Sequence, residues 1–276
     1  MQTLNLPDVG PVPLIGQGTW HMGEVRSRRK AEAEALRTGV ELGLTVIDTA
    51  EMYGDGATET FVGEALVGLR DQVVLVSKAY PQNAGHGRLE RACEASLKRL
   101  QTDRLDLYLL HWRGAVPFAE TIDGMEGLKR AGKIRAWGVS NLDLADMDEL
   151  AAAGGVGCST DQILYNVTRR GPEFDLLPAL AELDVPVMAY SPVEQGRLPR
   201  GGALQAVADR HGVTAYQVAL AWAVRSANVL AVPKASDAAH VRQNRQALDL
   251  ELTAEDTAEI DLAFPPPKRA SRLEML

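Results

Sequence analysis

The feature that most constrains the fold of this chain is a regular alternation of short apolar runs with longer helical patterns. The apolar runs are rich in Val, Ile and Leu and mostly continuous, which is typical of strands that are covered on both faces. Eight runs are predicted to be strands: residues 14–18, 45–48, 73–78, 105–111, 134–140, 159–164, 185–190 and 229–232.

Helical patterns fill the gaps between these runs. The predicted helices lie at about residues 27–43, 58–69, 89–100, 118–130, 141–150, 173–183 and 215–225, with an eighth beginning near residue 236. Eight strands alternating with eight helices in a chain of 276 residues predict a (β/α)8 TIM barrel. The rival fold, a doubly wound sheet, would usually carry a G-x-G-x-x-G turn after its first strand, and residues 16–21 have a different sequence (GQGTWH).

Two features stand outside the alternation. Residues 2–6 and 12–14, with a turn sequence between them, predict a small N-terminal hairpin. The tail contains three consecutive prolines at residues 265–267 and is expected to be irregular. Because the chain has no linker and no low-complexity tract, residues 1–276 are predicted to form a single domain.

The charge of the chain argues against some classes of binding partner. With 29 Lys+Arg against 37 Asp+Glu, the chain has a formal net charge of −8, whereas nucleic-acid binding needs a basic face. No apolar run approaches the roughly 20 residues of a membrane span, and the first residues lack the pattern of a signal peptide. Only Cys93 and Cys158 are present, outside any C-x-x-C pair, which favours a reducing cytoplasm and argues against a metal site. We expect a monomer with a small-molecule partner.

Polar side chains recur where the predicted strands end, and in a barrel those ends meet at one mouth. Asp48, Lys78 and His111 end the second, third and fourth strands, and Tyr53 follows Asp48 by five residues. Together these groups can act as one unit that donates a proton to a developing alkoxide. A charged Lys78 beside Tyr53 is expected to lower the pKa of the phenol from about 10. Asp48 would hold Lys78 in place, and His111 would orient a bound carbonyl.

At these residues the chain resembles the aldo-keto reductase family, and in particular its bacterial members with short loops. The resemblance covers nearly the whole chain. It implies a barrel whose N-terminal hairpin closes the bottom, and an NADPH-dependent reduction of aldehydes and ketones to alcohols. The stretches that carry it are residues 46–54 (VIDTAEMYG), 76–78 (VSK), 106–112 (DLYLLHW), 138–141 (GVSN), 188–192 (MAYSP) and 232–236 (VPKAS).

The resemblance also implies roles for individual residues. The catalytic four fall on Asp48, Tyr53, Lys78 and His111, with Tyr53 as the proton donor. From their positions after the first, third and fourth strands, Trp20, Tyr80 and Trp112 are expected to line the substrate site together with His111. The implied cofactor-binding residues are Gly18, Thr19, Asp48, Ser140, Asn141, Gln162, Tyr190, Ser191, Pro192, Lys234, Ser236, His240, Gln243 and Asn244. Among these, Ser140, Asn141 and Gln162 match residues that hold the nicotinamide carboxamide. Tyr190 matches the ring that stacks on the nicotinamide, and Lys234 and Ser236 match residues that bind the 2′-phosphate.

The chain departs from the family pattern at three positions. His240 stands where an Arg is usual, and Gln243 where a Glu is frequent. Asp161 stands where many members have Asn, before the matching Gln162. The loss of the Arg removes a bidentate contact to a phosphate. We therefore expect a weakened preference for NADPH, and NADH is kept as an alternative cofactor.

Two other functions remain open at this point. The first is a nucleotide-binding barrel without catalytic activity that acts as a redox-sensing partner subunit, because a fold does not fix a function. The second is an isomerase or aldolase that uses Lys78 as a Schiff base, which would require Lys78 to be free of Asp48. Because the loop after His111 and the tail are short, we also expect a shallow and open substrate pocket.

Overall fold

The computed structural model describes residues 2–226 and 228–276. Within these residues, eight parallel strands follow one another around a single sheet in chain order. A two-stranded hairpin precedes them, so the strands of the sheet are numbered from β3. The hairpin is β1 (Thr3–Leu6) and β2 (Gly10–Pro13). The sheet is β3 (Gln17–Gly18), β4 (Val46–Asp48), β5 (Val74–Ala79), β6 (Leu105–Leu110), β7 (Ile134–Ser140), β8 (Cys158–Leu164), β9 (Val187–Tyr190) and β10 (Val229–Ala231).

The sheet closes where the first strand meets the last. The Gly16 amide donates to the Ala231 carbonyl at 2.8 Å, and Gly18 pairs in parallel with Lys234. This approach is close, since a Cβ on Gly18 would lie 2.6 Å from the Val232 carbonyl oxygen. Glycine at this position is therefore explained by the packing of two strands. The predicted (β/α)8 barrel is confirmed.

Helices cover the outside of the barrel. The helices are α1 (Arg29–Glu41), α2 (Ala57–Ala65), α3 (Arg88–Leu100), α4 (Phe118–Arg130), α5 (Leu144–Ala152), α6 (Leu176–Glu182), α7 (Gly202–His211), α8 (Ala215–Ala223), α9 (Ala238–Gln246) and α10 (Ala254–Ala263). Their inner faces are apolar, as in α3, where Leu89, Cys93 and Leu97 are buried at helical spacing.

Two of these helices, α7 and α10, were not predicted from the sequence, and they pack against each other. Arg210 and His211 of α7 reach Asp256 of α10 at 2.8 and 2.7 Å. A signal for α10 does exist in the sequence, because Thr253 and Asp256 form a capping box at its start. Among the described residues, no helix has both the length and the apolar character that a bilayer crossing requires.

The hairpin lies at the amino-terminal end of the barrel. Leu6 is fully buried, and the Val9 carbonyl accepts a hydrogen bond from Arg135, the second residue of β7, at 3.2 Å. Lys129, near the end of α4, pairs with Asp8 at 2.7 Å. The hairpin thus covers the end of the barrel opposite to the carboxyl ends of the strands, as the family resemblance implies.

Candidate active site

Three of the four predicted catalytic groups form one cluster at the carboxyl ends of β4 and β5. The Lys78 ammonium lies 2.8 Å from Asp48 Oδ1 and donates to the Thr49 carbonyl at 2.8 Å. It also donates to the Tyr53 hydroxyl at 3.2 Å. Asp48 ends β4, Lys78 is the last residue but one of the neighbouring β5, and Tyr53 follows Asp48 by one short turn, so local chain geometry is enough to bring the three groups together.

The charges in this cluster stabilise one another. Lys78 is fully buried, and burial alone disfavours an ammonium ion. The negative charge of Asp48, together with the hydrogen bonds to Asp48 and Tyr53, outweighs that burial and raises the pKa of Lys78. The amine therefore stays protonated at neutral pH and cannot act as a free nucleophile. The Schiff-base alternative, which required Lys78 to be free of Asp48, is wrong.

The expected effect on Tyr53 needs a correction. The sequence predicted that Lys78 lowers the pKa of the phenol below about 10. Burial is the larger influence, and the pKa of Tyr53 is raised even though the charge and hydrogen bond of Lys78 oppose the change. The carboxylate of Asp48 adds to the rise, because it offsets part of the positive charge of Lys78. The phenol therefore carries its proton throughout the physiological pH range.

His111 completes the group from the end of β6. Its ring centroid lies 6.1 Å from that of Tyr53, in an edge-on arrangement. Burial, assisted by the charge of Lys78, lowers the pKa of His111 to about 2, so the imidazole is neutral. Its Nδ1 atom is buried and meets no hydrogen-bond partner within the described part of the chain. A neutral imidazole with an unused ring nitrogen beside a phenol can orient a carbonyl oxygen.

A second cluster lies at the ends of β7 and β9. Asn141 has a φ of +61°, and its side-chain amide donates to Ser140 Oγ at 3.0 Å and to the His111 carbonyl at 3.1 Å. The Tyr190 hydroxyl donates to Asn141 Oδ1 at 2.9 Å. Ser191 and Pro192 follow Tyr190 directly. The structure therefore brings the predicted carboxamide-holding pair and the predicted aromatic platform into one hydrogen-bonded group beside His111.

Gln162 connects the cluster around Asn141 with the cluster of Asp48, Lys78 and Tyr53. Its side-chain amide donates to Asp48 Oδ1 at 2.8 Å and lies 2.7 Å from the sulfur of Met188. The neighbouring Asp161 faces away from the barrel interior, because side chains alternate along a strand. Asp161 is fully buried. The change from the usual Asn thus affects the packing outside the barrel and leaves Gln162 in the interior.

The aromatic residues of the predicted substrate site lie on two sides of the mouth. Tyr80 and Trp112 meet edge to face, with ring centroids 5.8 Å apart. Trp112 also packs against His111 at 4.8 Å. Trp20 stacks on His21 and keeps 39% of its surface exposed. Glu51, which the sequence analysis did not single out, accepts a hydrogen bond from the Tyr80 amide at 2.6 Å and thereby fixes that loop.

The predicted 2′-phosphate residues lie around the start of α9. Lys234 donates to the Ser236 hydroxyl, and the exposed His240 ring lies 2.7 Å from Asp237. Asp237 also caps the helix. Gln243 and Asn244 lie further along α9 and are half-buried. Directly after β3, Thr19 is turned inward, since its hydroxyl donates to the Asp48 carbonyl at 2.9 Å.

The tail differs from the expectation of an open pocket. Residues 265–276 are irregular, as predicted, but they return to the barrel mouth. Glu274 pairs with Arg169 at 2.7 Å, and the Leu276 amide donates to the Tyr190 hydroxyl at 3.4 Å. A cavity of about 330 Å³ lies between this tail and the loops that carry Trp112 and Asn141. The open pocket was predicted from the shortness of the tail, and that shortness gives no sign of the ion pair between Arg169 and Glu274 that holds the tail across the site.

Comparison with known proteins now identifies the family. Residues 14–263 match the model of the aldo/keto reductase family. The chain belongs to this family. The predicted family is confirmed, and so is the prediction of an oxidoreductase. The alternative of a non-catalytic subunit finds no support.

Several relatives align over nearly their full length. The methylglyoxal reductase YeaE of Escherichia coli is 54% identical over 271 residues, which cover 96% of this chain and 95% of the relative. An aldo/keto reductase of Klebsiella pneumoniae, crystallised with NADP and acetate, is 52% identical and superimposes with a TM-score of 0.97 over 100% of this chain and 99% of its own. A thermostable aldo-keto reductase, in complex with the inhibitor epalrestat, is 37% identical with a TM-score of 0.89, covering 95% and 99%.

Proposed function

We propose that this protein reduces small aldehydes and ketones to alcohols with NADPH, and that 2-oxoaldehydes such as methylglyoxal are among its substrates. The observation that carries the proposal is the Lys78 ammonium, which lies 3.2 Å from the Tyr53 hydroxyl and 2.8 Å from Asp48. A half-buried, protonated phenol against a fixed cation at a barrel mouth suits the delivery of a proton to a developing alkoxide.

Each group of the site has a part in this chemistry. Bound NADPH supplies the hydride for the carbonyl carbon. The Tyr53 hydroxyl donates its proton to the carbonyl oxygen, and Lys78 stabilises the negative charge that the phenol acquires. Asp48 holds Lys78 in place and keeps the pair close to neutral. The neutral imidazole of His111 donates a hydrogen bond to the carbonyl oxygen and orients it.

The donor set of the chain fits NADPH. Asn141 and Ser140 provide amide and hydroxyl groups for the carboxamide, and Tyr190 provides an aromatic face beside them. At the other end, Lys234 offers an exposed cation next to the start of α9, where backbone amides favour an anion. Relatives of this fold are crystallised with NADP and NADPH, which supports the choice of cofactor.

The side chains that line the barrel mouth indicate the class of substrate. Tyr80, Trp112 and Trp20 give an apolar wall with few polar groups, which suits a small carbonyl compound. The high identity to a methylglyoxal reductase supports a short 2-oxoaldehyde as one substrate. The tail, which reaches Tyr190, narrows the entrance and disfavours bulky ketones.

The test is the loss of NADPH absorbance with a panel of aldehydes and ketones that includes methylglyoxal, repeated with NADH. We expect Tyr53→Phe to lower kcat by roughly 10²–10⁴-fold, since general acid catalysis contributes about that much, and to leave NADPH affinity nearly unchanged. Tyr216→Phe is the matched control, because the Tyr216 hydroxyl is exposed and only bonds the Gly196 carbonyl. Retention of most activity in Tyr53→Phe would remove this residue from the mechanism.

We further propose a single domain over residues 1–276, a monomeric state, and a reducing compartment such as the cytoplasm. The first is supported by one apolar core that includes residues from Leu4 of the hairpin to Ile260 of α10. The last is supported by Cys93 and Cys158, which are both buried and unpaired. Size-exclusion chromatography with light scattering measures the oligomeric state.

A further inference from the structure

Glu59, in the first turn of α2, is a fully buried carboxylate outside the cluster of Asp48, Lys78 and Tyr53. A buried charge is unfavourable unless it is paired and hydrogen-bonded. Both of its oxygens are paired: the Ser77 hydroxyl donates to one at 2.6 Å, and Arg99 Nε donates to the other at 2.6 Å. One side chain therefore joins helix α2 to strand β5 and to helix α3.

The Ser77 contact lies directly behind the cation of the active site. Ser77 and Lys78 are consecutive in β5, and successive side chains of a strand point to opposite faces. Lys78 faces the interior of the barrel and reaches Tyr53, whereas Ser77 faces the helices and reaches Glu59. The start of α2 is thus fastened to the strand at the level of Lys78.

The segment between Tyr53 and α2 requires such an attachment. Gly54, Asp55 and Gly56 have φ values of +56°, +50° and +87°, so three successive residues are left-handed. Asp adopts that conformation mainly as a single residue, so a run of three left-handed residues persists only where the surroundings impose it. Arg99 packs against this segment so closely that a Cβ on Gly56 would lie 2.6 Å from Arg99 Cδ.

We infer that Glu59 is a positioning residue for the reaction: with Ser77 and Arg99 it forms a clamp that holds the left-handed segment and keeps the Tyr53 hydroxyl against Lys78. The clamp touches neither substrate nor cofactor and acts through Tyr53. The inference rests on the proposed function, because it assigns to Glu59 the placement of the proton donor.

Glu59→Gln tests the clamp, since it keeps the size of the side chain but removes the charge that pairs with Arg99. We expect kcat for methylglyoxal to fall roughly 10–100-fold, the loss that a misplacement of about 1 Å produces, while the KM for NADPH stays within about twofold. Glu64→Gln is the matched control on the same helix, because Glu64 is exposed and pairs with Arg29 at the surface. It should leave kcat unchanged.

A combination with Tyr53→Phe separates positioning from a general loss of structure. If Glu59 acts through the Tyr53 hydroxyl, Glu59→Gln causes no further loss in the Tyr53→Phe background. An equal loss in both backgrounds would overturn the inference, as would a wild-type kcat in the folded single variant. Should Glu59→Gln fail to fold, Ser77→Ala removes only one of the two contacts, and the same comparison applies with a smaller loss expected.

A crystal structure of the variant gives a readout that does not depend on activity. We expect the Tyr53 hydroxyl to lie beyond hydrogen-bond reach of Lys78 in Glu59→Gln. An unchanged distance of 3.2 Å would contradict the clamp. A wild-type protein that reduces no carbonyl compound, in contrast, would refute the proposed function and leave this structural outcome to decide on the clamp.

Discussion

Replacing Asp161 by Asn should stabilise the protein, and the gain should grow with pH. Asp161 is fully buried on the outer face of β8, and neither of its carboxylate oxygens meets a hydrogen-bond partner among the residues described. Burial raises the pKa of Asp161 well above 3.8, and the charges of Asp143 and Asp146 add to the rise. The backbone of Leu142 lies near enough to oppose this shift, but it forms no hydrogen bond with the carboxylate.

The direction follows from the linkage between protonation and folding. A carboxyl group with a raised pKa in the folded state binds its proton more tightly there than in the unfolded chain. Its contribution to stability is complete below the unfolded-state pKa of about 3.9 and is lost as the pH rises through the folded-state pKa. At neutral pH and above, the protein therefore either takes up a proton on folding or buries an unpaired charge at Asp161.

Asn has the same shape and does not ionise, so Asp161→Asn removes that cost. Asn keeps the cost of a buried polar group, so the gain comes only from the proton that Asp161 takes up on folding, and each unit of raised pKa is worth about 1.4 kcal/mol. We expect a gain of about 1–3 kcal/mol at pH 8, where each kcal/mol raises the Tm of a chain of this size by about 2–4 °C.

The assay is the Tm of wild type and variant between pH 5 and pH 8, with Asp148→Asn as a control on the exposed face of α5. The difference between Asp161→Asn and wild type should shrink toward pH 5, whereas the control should follow wild type throughout. A variant that is no more stable than wild type at pH 8, or a gain that does not depend on pH, would refute the reasoning.

Three further predictions concern the site itself. Lys78→Met should lower kcat at least as much as the loss of the proton donor, roughly 10²–10⁴-fold, because it also leaves the buried Asp48 without its counter-charge; a variant with wild-type kcat would contradict the role of the cation. His240→Arg should raise the ratio of kcat/KM for NADPH to kcat/KM for NADH by about one to two decades, because the guanidinium adds a charge-assisted hydrogen bond worth about 1.5–3 kcal/mol. An unchanged ratio would remove His240 from the phosphate site. Arg169→Gln should release the tail from Glu274, so that the ratio of kcat/KM for bulky ketones to kcat/KM for methylglyoxal rises; the same ratio as in the wild type would show that the tail does not restrict the entrance.

Much of the fold and the position of the site could be predicted from the sequence, because both depend on local signals. Continuous apolar strands are recognisable in a single sequence, and the polar residues that end them meet at one mouth once the barrel is assumed. Asp48, Tyr53 and Lys78 therefore came together as expected.

The features that were not predicted depend on distant parts of the chain. The pKa of Tyr53 follows from the balance between burial and one cation, and only the packed structure gives that balance. The path of the tail depends on Arg169, which lies on a different loop. Glu59 was not singled out, because a Glu in an amphipathic helix usually faces solvent.

The closure of the barrel between Gly18 and Lys234 also bears on how the protein is made. The ribosome synthesises the two partners of this pair near opposite ends of the chain, so the seam can form only after nearly all of the barrel has left the exit tunnel. Until then, β3 and β9 present unpaired strand edges, the kind of surface on which nascent chains aggregate. A message truncated before the codons for β10 would therefore yield an aggregation-prone chain that also lacks Lys234 and the whole of α9.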